Sequence, residues 1–336
     1  MIKSVLLGFS GGIDSQTAAR MLTAEGYRVV LATIDTTGDA ALLTKAERMA
    51  KELNLEWHSI DRRKEFKNEI IDYFCLEYAQ GHTPAPCTRC NTHIKWKTLE
   101  EVADSLGIEY IATGHYFNIT ESNGHLYVTK GLDPAKDQSY YLWGLTQATL
   151  RRAITPMGNI IKSEVKANFA DKSESMGICF LEGKHYIDYL KERGVVTTTG
   201  AVVDSKGDVV GEHSGIMCYT IGQRRGEGIP EGCRVVAIDA KSNNIIVGSK
   251  EELNKKWIYI NQCNIVDTNE LLSATDITVK IRGIGLNPQE PVAIEPHNEG
   301  FIIKFKDPAW APAKGQPLVL YRNNLVIGGG IVVDFG

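Results

Sequence analysis

The sequence predicts an α/β protein in which a doubly wound parallel sheet is followed by a small central β domain and a C-terminal β-barrel. Three observations predict this fold class. Strand-like and helix-like hydrophobic patterns alternate through the first third of the 336 residues. A glycine-rich turn, SGGIDS at residues 10–15, joins the first strand directly to the first helix. From about Val195, short alternating runs separated by Gly, Asn and Pro replace the helical patterns.

The elements of the first third follow from their patterns in order. The apolar strand 3–9 runs into the turn, and the helix after it extends to Glu25, where Gly26 suits a helix C-terminus. The predicted elements after it are strand 28–34, a helix over 40–53, strand 56–60, a helix over 64–80, a helix over 92–106 and strand 109–112. The Pro- and Cys-rich segment GHTPAPCTRCN at residues 81–91 predicts an ordered loop between helices. We expect a nucleotide at the carboxyl ends of the parallel strands.

Changes in the hydrophobic pattern along the chain predict three domains. The predicted boundaries lie near residues 185 and 255. The domains are therefore 1–185 for catalysis, 186–255 for the central β domain, and 256–336 for a β-barrel.

Composition excludes several classes of protein. The net charge of −4 means that a nucleic-acid partner would have to be met by local basic patches. The glycines of the first turn interrupt any signal-peptide core, and no run of about 18 apolar residues predicts a membrane span. Seven cysteines, an odd number without the spacing of a secreted scaffold, favour a reducing, cytoplasmic location.

The SGGIDS turn predicts a phosphate-binding loop. A strand, a glycine-rich turn and a helix aim backbone N–H groups and a helix N-terminus at an anion. Ser10 and Ser15 add hydroxyl groups, and Asp14 offers a carboxylate that could hold Mg²⁺. No lysine lies in the loop, so it is not the phosphate loop of ordinary NTPases. A plain tight turn is the alternative, which the flanking strand and the full string disfavour.

Cys87 and Cys90, in the string CTRC, form the second candidate site. A thiolate near a helix N-terminus is favoured by the helix dipole, and we expect Arg89 to add to this effect. Half of a structural zinc site is the alternative, although no second CxxC or HxxxH supplies the other ligands. Cys179, in GICF, would by itself be read as a buried apolar residue. The remaining four cysteines are predicted to be structural.

Three further strings carry polar groups at predicted strand or helix ends. IATGHY at 111–116 places a Gly and a His at the nucleotide edge of the sheet. KDQSYYLW at 136–143 combines charges, an amide and aromatic rings suited to phosphate and base contacts, or is a solvated helix start. The segment 213–229 contains a Gln-Arg-Arg-Gly turn that could grip a phosphate backbone, or is a charged hairpin tip.

These motifs together resemble the bacterial tRNA uridine 2-sulfurtransferases, the 2-thiouridylases of the PP-loop ATP pyrophosphatase superfamily. SGGIDS, TPxPxxxCN, ATGHY, KDQSYYLW, GICF, HSG…YTIGQRRG and GQPLVLY…GGGI occur in the family's order over nearly the whole chain. The resemblance implies a Rossmann-like PP-loop catalytic domain, a central β domain and a β-barrel that contacts tRNA.

The resemblance also implies a mechanism. ATP would adenylate O2 of the wobble uridine, position 34 of the tRNA, with release of pyrophosphate. A sulfur-donor protein, either a persulfide carrier or a cysteine desulfurase, would load a persulfide onto Cys179. Cys90 would attack that persulfide, releasing the sulfur and leaving a Cys90–Cys179 disulfide.

Site residues are carried over position by position. The ATP-binding positions would be Gly8, Phe9, Ser10, Gly11, Gly12, Ile13, Asp14, Ser15, Ile34 and Gly114. The tRNA-binding positions would be Ala85, Pro86, Cys87, His115, Lys136, Asp137, Gln138, Arg282, Gly283 and Gln316, of which Ala85, Pro86 and Cys87 lie beside the target base. The catalytic set would be Cys90, Cys179, Cys87 and Asp14.

The chain departs from the family pattern near the second site. Many members have Asn where Ala85 stands and Asp, a candidate acid/base, where Cys87 stands. The loop TIDTTGD is short, and Arg282-Gly283 replaces an Arg-Tyr pair. Cys87 also opens an alternative in which Cys87, Cys90 and Cys179 ligate a [4Fe–4S] cluster that carries the sulfur. Two further alternatives are an AMP-forming ligase or amidotransferase and a non-catalytic RNA-binding paralogue.

Overall fold

The computed structural model of the chain describes residues 3–167, 177–196, 198–282 and 287–336. The strands are β1 (Ser4–Gly8), β2 (Arg28–Asp35), β3 (Glu56–Asp61), β4 (Tyr110–Thr113), β5 (Phe117–Ser122), β6 (His125–Lys130), β7 (Ala153–Ile154), β8 (Gly200–Val203), β9 (Val209–His213), β10 (Arg234–Asp239), β11 (Asn244–Gly248), β12 (Asn254–Ile265), β13 (Ile277–Lys280), β14 (Ala293–His297), β15 (Gly300–Trp310), β16 (Pro317–Arg322) and β17 (Leu325–Phe335).

The α-helices are α1 (Ile13–Ala24), α2 (Ala40–Leu53), α3 (Arg63–Phe66), α4 (Asp72–Ala79), α5 (Pro86–Cys90), α6 (Lys97–Ser105), α7 (Gln147–Arg152), α8 (Lys162–Ala167), α9 (Tyr186–Glu192) and α10 (Thr268–Ser273). Two π-helical segments, Lys67–Ile71 and Asn91–Trp96, link α3 to α4 and α5 to α6. The described residues form two compact units, the first within 1–70, 87–176 and 324–327, and the second within 71–86, 177–323 and 328–336.

The first unit is built on a parallel sheet with strand order β3-β2-β1-β4-β7. The order runs outward from β1 in both directions, which confirms the predicted doubly wound sheet. Its central strand is a continuous apolar run, with Val5, Leu6 and Leu7 fully buried, as expected for a strand covered on both faces. The carboxyl ends of β1, β2 and β4 therefore lie side by side.

The second unit contains two mainly antiparallel sheets. One has the order β10-β11-β8-β9, and the other runs β13-β16-β17-β12-β15-β14. Val202, Val235 and Ile245 are fully buried in the core of the smaller sheet. The mainly antiparallel pairing of these strands confirms the predicted change from α/β to β architecture.

The segment around CTRC differs from the prediction. It was expected to be a loop before a helix, but α5 already begins at Pro86. Proline suits the first turn of a helix, because its fixed φ is helical and the N–H that it lacks would have no partner there. Cys87 and Cys90 consequently lie three residues apart on one helical turn.

Candidate functional site

The SGGIDS loop has the geometry of an anion site. Gly11 adopts φ +66°, and a Cβ on it would lie 3.1 Å from the Cα of Ala46 in α2, so only glycine fits comfortably. Gly12 precedes α1 in an extended conformation and offers no side chain to cap it. The N–H groups of the first helical turn are thereby left to an anionic ligand. The Ser15 hydroxyl donates to the carbonyl of Gly12 at 3.0 Å, which stiffens the turn.

Asp14 lies in an ion pair that the sequence did not predict. Lys162, at the start of α8, donates from Nζ to Asp14 Oδ1 at 2.5 Å, and the side chain of this lysine is only 6% exposed. The hydroxyl of Tyr116 donates to the same oxygen at 2.7 Å. The Lys162 ammonium also lies 5.6 Å from the centre of the Tyr116 ring. Both donors engage Oδ1, and 34% of the Asp14 side chain is exposed.

The other positions expected to bind ATP meet this loop at the sheet edge. Gly8 ends β1, and Ile34 lies near the end of β2. Gly114 follows β4, and a Cβ on it would lie 3.1 Å from the amide nitrogen of Ser15. The structure thus brings Gly114 against the start of α1, so closely that a side chain at this position would press on the backbone of Asp14 and Ser15.

His115 is a neutral side chain in this environment. Its Nδ1 is hydrogen-bonded to the hydroxyl of Thr113 at 2.8 Å. Burial, with a smaller effect of Lys95, lowers the pKa of His115 to about 3. A neutral imidazole can contact RNA through hydrogen bonds but not as a cation.

The KDQ motif is bonded to the protein's own backbone. Asp137 accepts the backbone N–H groups of Gly131 and Ser139, each at 3.1 Å. The carbonyl oxygen of the Gln138 side chain accepts the N–H of Tyr116 at 2.9 Å. Lys136 is half-buried, with its N–H bonded to the carbonyl of Asp133. Asp137 and Gln138 therefore shape this segment, whatever else they contact.

The cysteine pair of α5 shows different exposure at its two positions. Cys87 is exposed, whereas Cys90 is 5% exposed. Arg89 was expected to favour a thiolate, but its guanidinium donates to the carboxylate of Glu69 at 2.7 Å and to the Glu69 carbonyl at 2.8 Å. That charge is largely neutralised, so the expected contribution of Arg89 is reduced. Burial raises the pKa of Tyr141, and the nearby Cys87 adds to the shift.

Cys179 belongs to the second unit and is exposed. It begins a short 3₁₀ segment, and the next residue, Phe180, is buried. The Phe180 ring packs edge-on against Phe74 of α4, with centroids 5.2 Å apart, and at 5.3 Å from Tyr189 of α9. The aromatic anchor holds the backbone while the neighbouring thiol faces solvent.

The loop before α5 is hydrogen-bonded to the segment between β15 and β16. Gln316 donates from Nε2 to the carbonyl of Thr83 at 2.7 Å and to that of Pro84 at 3.4 Å. The Thr83 N–H donates to the carbonyl of Lys314 at 2.8 Å. Gln316 was expected to touch tRNA, and the structure places its amide on the segment that leads into Ala85 and Pro86. Sequence reasoning had no signal for this contact.

Arg282 also donates to backbone carbonyls. Its guanidinium donates to the carbonyl of Ile221 at 3.2 Å and to that of Ala311 at 2.5 Å. By contrast, Arg224 and Arg225 are exposed on the predicted Gln-Arg-Arg-Gly turn. Gly283 lies outside the described residues. The role of Arg282 in RNA binding remains a prediction.

No disulfide joins any of the seven cysteines, all of which lie in the described part of the chain. Burial raises the pKa of Cys218 and raises that of Cys263 to about 11, which suits the structural role predicted for them. Among the residues that the structure describes, no group of three or more His, Cys, Asp or Glu side chains is placed to hold a metal ion. Nor does any helix within the described ranges have the length and apolar character needed to cross a membrane.

Fold and site together define a nucleotide-binding α/β enzyme with appended β domains. Three family models match the chain: a tRNA methyl transferase HUP domain at 3–183, a tRNA methyl transferase PRC-barrel domain at 187–249 and an aminomethyltransferase β-barrel domain at 255–332. The tRNA-specific 2-thiouridylase MnmA of Clostridium acetobutylicum is 36% identical, over 99% of this chain and 100% of its own length.

A second relative, the tRNA-specific 2-thiouridylase MnmA 1 of Bacteroides fragilis, is 38% identical over 98% of this chain and 97% of its own length. The corresponding protein of Moorella thermoacetica is 37% identical over 97% of this chain and 98% of its own length. The chain belongs to the tRNA-specific 2-thiouridylase family, which confirms the resemblance seen in its motifs.

Proposed function

We propose that this protein uses ATP to replace O2 of the wobble uridine of tRNA by sulfur. The observation that carries this proposal is the SGGIDS loop at the carboxyl edge of a parallel sheet, in a chain that also presents the exposed thiol of Cys179. Adenylation would turn O2 into a leaving group, and a cysteine-borne sulfur would displace AMP. The family's name supports the same reaction.

ATP would bind at the loop edge of the first unit. The proposed contacts are Gly8, Phe9, Ser10, Gly11, Gly12, Ile13, Asp14, Ser15, Ile34 and Gly114. The backbone N–H groups at the start of α1 would hold phosphate oxygens, and Lys162 would neutralise part of the charge that develops on pyrophosphate.

The donor set at Asp14 suits Mg²⁺. A hard cation takes carboxylate oxygens, and Asp14 keeps Oδ2 clear of the bonds to Tyr116 and Lys162. Mg²⁺ would neutralise phosphate charge during adenylation. The protein's part is to hold the Asp14 carboxylate at the loop.

Sulfur transfer would use Cys179 and Cys90. The donor protein would leave a persulfide on Cys179, which is exposed and therefore accessible to a partner. The Cys90 thiolate would attack the Sγ of Cys179, forming the Cys90–Cys179 disulfide and expelling HS⁻. HS⁻ would add to C2 of the adenylated uridine, and AMP would leave with O2. A thiol reductant would then restore both cysteines.

The [4Fe–4S] alternative remains separable by experiment. In the persulfide route Cys87 is a neighbour of Cys90, and Cys87→Ser retains part of the activity. In the cluster route Cys87, Cys90 and Cys179 are the protein ligands, and Cys87→Ser loses cluster and activity together. Iron and acid-labile sulfide measured after anaerobic purification, with thiolation assays of each variant, decide between the routes.

ATP–pyrophosphate exchange with and without tRNA tests the adenylation step. We expect exchange that depends on tRNA. Exchange with a small-molecule acceptor in place of tRNA would favour the ligase alternative, and tRNA binding without exchange would favour the non-catalytic one.

The remaining assignments complete the proposal. The tRNA would contact Ala85, Pro86, Cys87, His115, Lys136, Asp137, Gln138, Arg282, Gly283 and Gln316. The domain boundaries near residues 185 and 255, a persulfide-donating partner protein and a cytoplasmic location are part of the same proposal.

A further inference from the structure

The backbone of Tyr116 is hydrogen-bonded to the segment that carries the KDQ motif. Its N–H donates to the side-chain carbonyl of Gln138 at 2.9 Å, and its carbonyl accepts the Gln138 N–H at 2.9 Å. Gly131 packs closely against the Tyr116 carbonyl, because a Cβ on Gly131 would lie 3.0 Å from that oxygen. Asp137 holds Gly131 by accepting its N–H at 3.1 Å. The position of the Tyr116 backbone is therefore set by Asp137 and Gln138.

The side chain of Tyr116 reaches the nucleotide loop. The residue is 3% exposed, so its ring has no room to rotate away without repacking. Its hydroxyl donates to Asp14 Oδ1 at 2.7 Å, across 102 positions of sequence. A single residue thus connects the KDQ segment through its backbone to the loop carboxylate through its hydroxyl.

We propose that Tyr116 is a positioning residue that makes the orientation of Asp14 depend on the Lys136–Gln138 segment. The inference rests on the proposed function, in which that segment meets tRNA and Asp14 serves ATP. Binding of tRNA to the segment would then fix the position of Tyr116. Its hydroxyl would in turn hold the Asp14 carboxylate in the orientation that adenylation needs. Such a link would make ATP consumption dependent on bound RNA.

The test is a double-mutant cycle on tRNA-stimulated ATP–pyrophosphate exchange. Tyr116→Phe keeps the buried ring and removes only the hydroxyl, and we expect kcat to fall about tenfold, more than KM for ATP changes. Gln138→Ala should also lower kcat. If Gln138 acts through Tyr116, the double variant is no slower than Tyr116→Phe alone.

Tyr110→Phe is the matched control, because Tyr110 begins β4, the strand that precedes Tyr116 in the chain. We expect it to exchange at the wild-type rate. The proposal would be overturned if Tyr116→Phe carried out ATP–pyrophosphate exchange at the wild-type rate. It would also be overturned if the reductions in kcat of the two single variants multiplied in the double variant.

A second readout does not need the reaction. Amide hydrogen exchange over residues 10–16 should rise in Gln138→Ala, and Gln138→Ala should add nothing in the Tyr116→Phe background. If the wild-type protein fails to adenylate tRNA but shows this pattern, the proposed function fails and the mechanical link stands. If neither substitution changes hydrogen exchange in the loop, the proposed coupling between the Lys136–Gln138 segment and Asp14 is wrong.

Discussion

Asp14→Ala is expected to destabilise the protein as well as stop adenylation. The substitution removes the Asp14 carboxylate that pairs with the Lys162 ammonium, whose side chain is 6% exposed. Breaking a buried ion pair costs about 3–5 kcal/mol, and because Asp14 is 34% exposed, water can recover part of this, so we expect about 2–3 kcal/mol. At about 2–4 °C per kcal/mol for a domain of this size, the melting temperature should fall by roughly 4–12 °C.

A double variant separates the effect of the ion pair on stability from the effect of Asp14 on adenylation. Asp14→Ala combined with Lys162→Met removes both charges and should recover most of the lost stability. Adenylation should remain at least about 100-fold slower in either protein, because both lack the Asp14 carboxylate that is proposed to hold Mg²⁺ at the loop.

Thermal unfolding and ATP–pyrophosphate exchange measure the two effects. Asp104→Ala is the control, because it breaks an exposed pair with Arg152 in the same unit and should change the melting temperature little. The reasoning is refuted if Asp14→Ala melts like the wild type, or if the double variant is no more stable than Asp14→Ala.

Three further predictions follow from individual contacts. The pKa of His115, about 3 in the folded protein against about 6.5 in the unfolded chain, makes the protein less stable as the pH falls from 6.5 towards 3. Between pH 6.5 and 5 the loss is about 1.6 kcal/mol, and His115→Gln should flatten the plot of unfolding free energy against pH in this range. Gln316→Ala, which frees the loop before α5, should reduce kcat for thiolation about tenfold without changing ATP binding, whereas the exposed Gln289→Ala should do neither. Arg282→Ala should cost about 2 kcal/mol of stability, because its guanidinium donates to backbone carbonyls. Arg224→Ala, at an exposed position, should reduce the salt dependence of log K for tRNA by about one unit of slope, and an unchanged slope would contradict the assignment.

Much of the nucleotide site was predictable because its signals are local. SGGIDS lies within six residues, and the strand before it and the helix after it follow from hydrophobic periodicity. The hairpin of β5 and β6 was missed although Asn123-Gly124, both at positive φ, is a strong local turn signal. The helical start at Pro86 was missed because Pro and Cys were read as loop formers.

Long-range contacts could not be predicted in this way. Lys162 meets Asp14 across 148 positions, and Gln316 meets Thr83 across 233. Nothing in the composition near Lys162 marks its partner, since a lysine in an apolar stretch is usually solvated. The packing of β4, α1 and α8 decides which polar groups meet, and that packing is a property of the whole unit.

Mass spectrometry of tRNA nucleosides tests the central claim most directly. Unmodified tRNA is incubated with the purified protein, ATP and an isotopically labelled persulfide donor, and its nucleosides are separated and weighed. We predict labelled 2-thiouridine at the wobble position with the wild-type protein, and none with Cys90→Ser, Cys179→Ser or without ATP. The account would be contradicted if the wobble uridine stayed unchanged after incubation with the wild-type protein, or if a methylated nucleoside formed in place of a thiolated one.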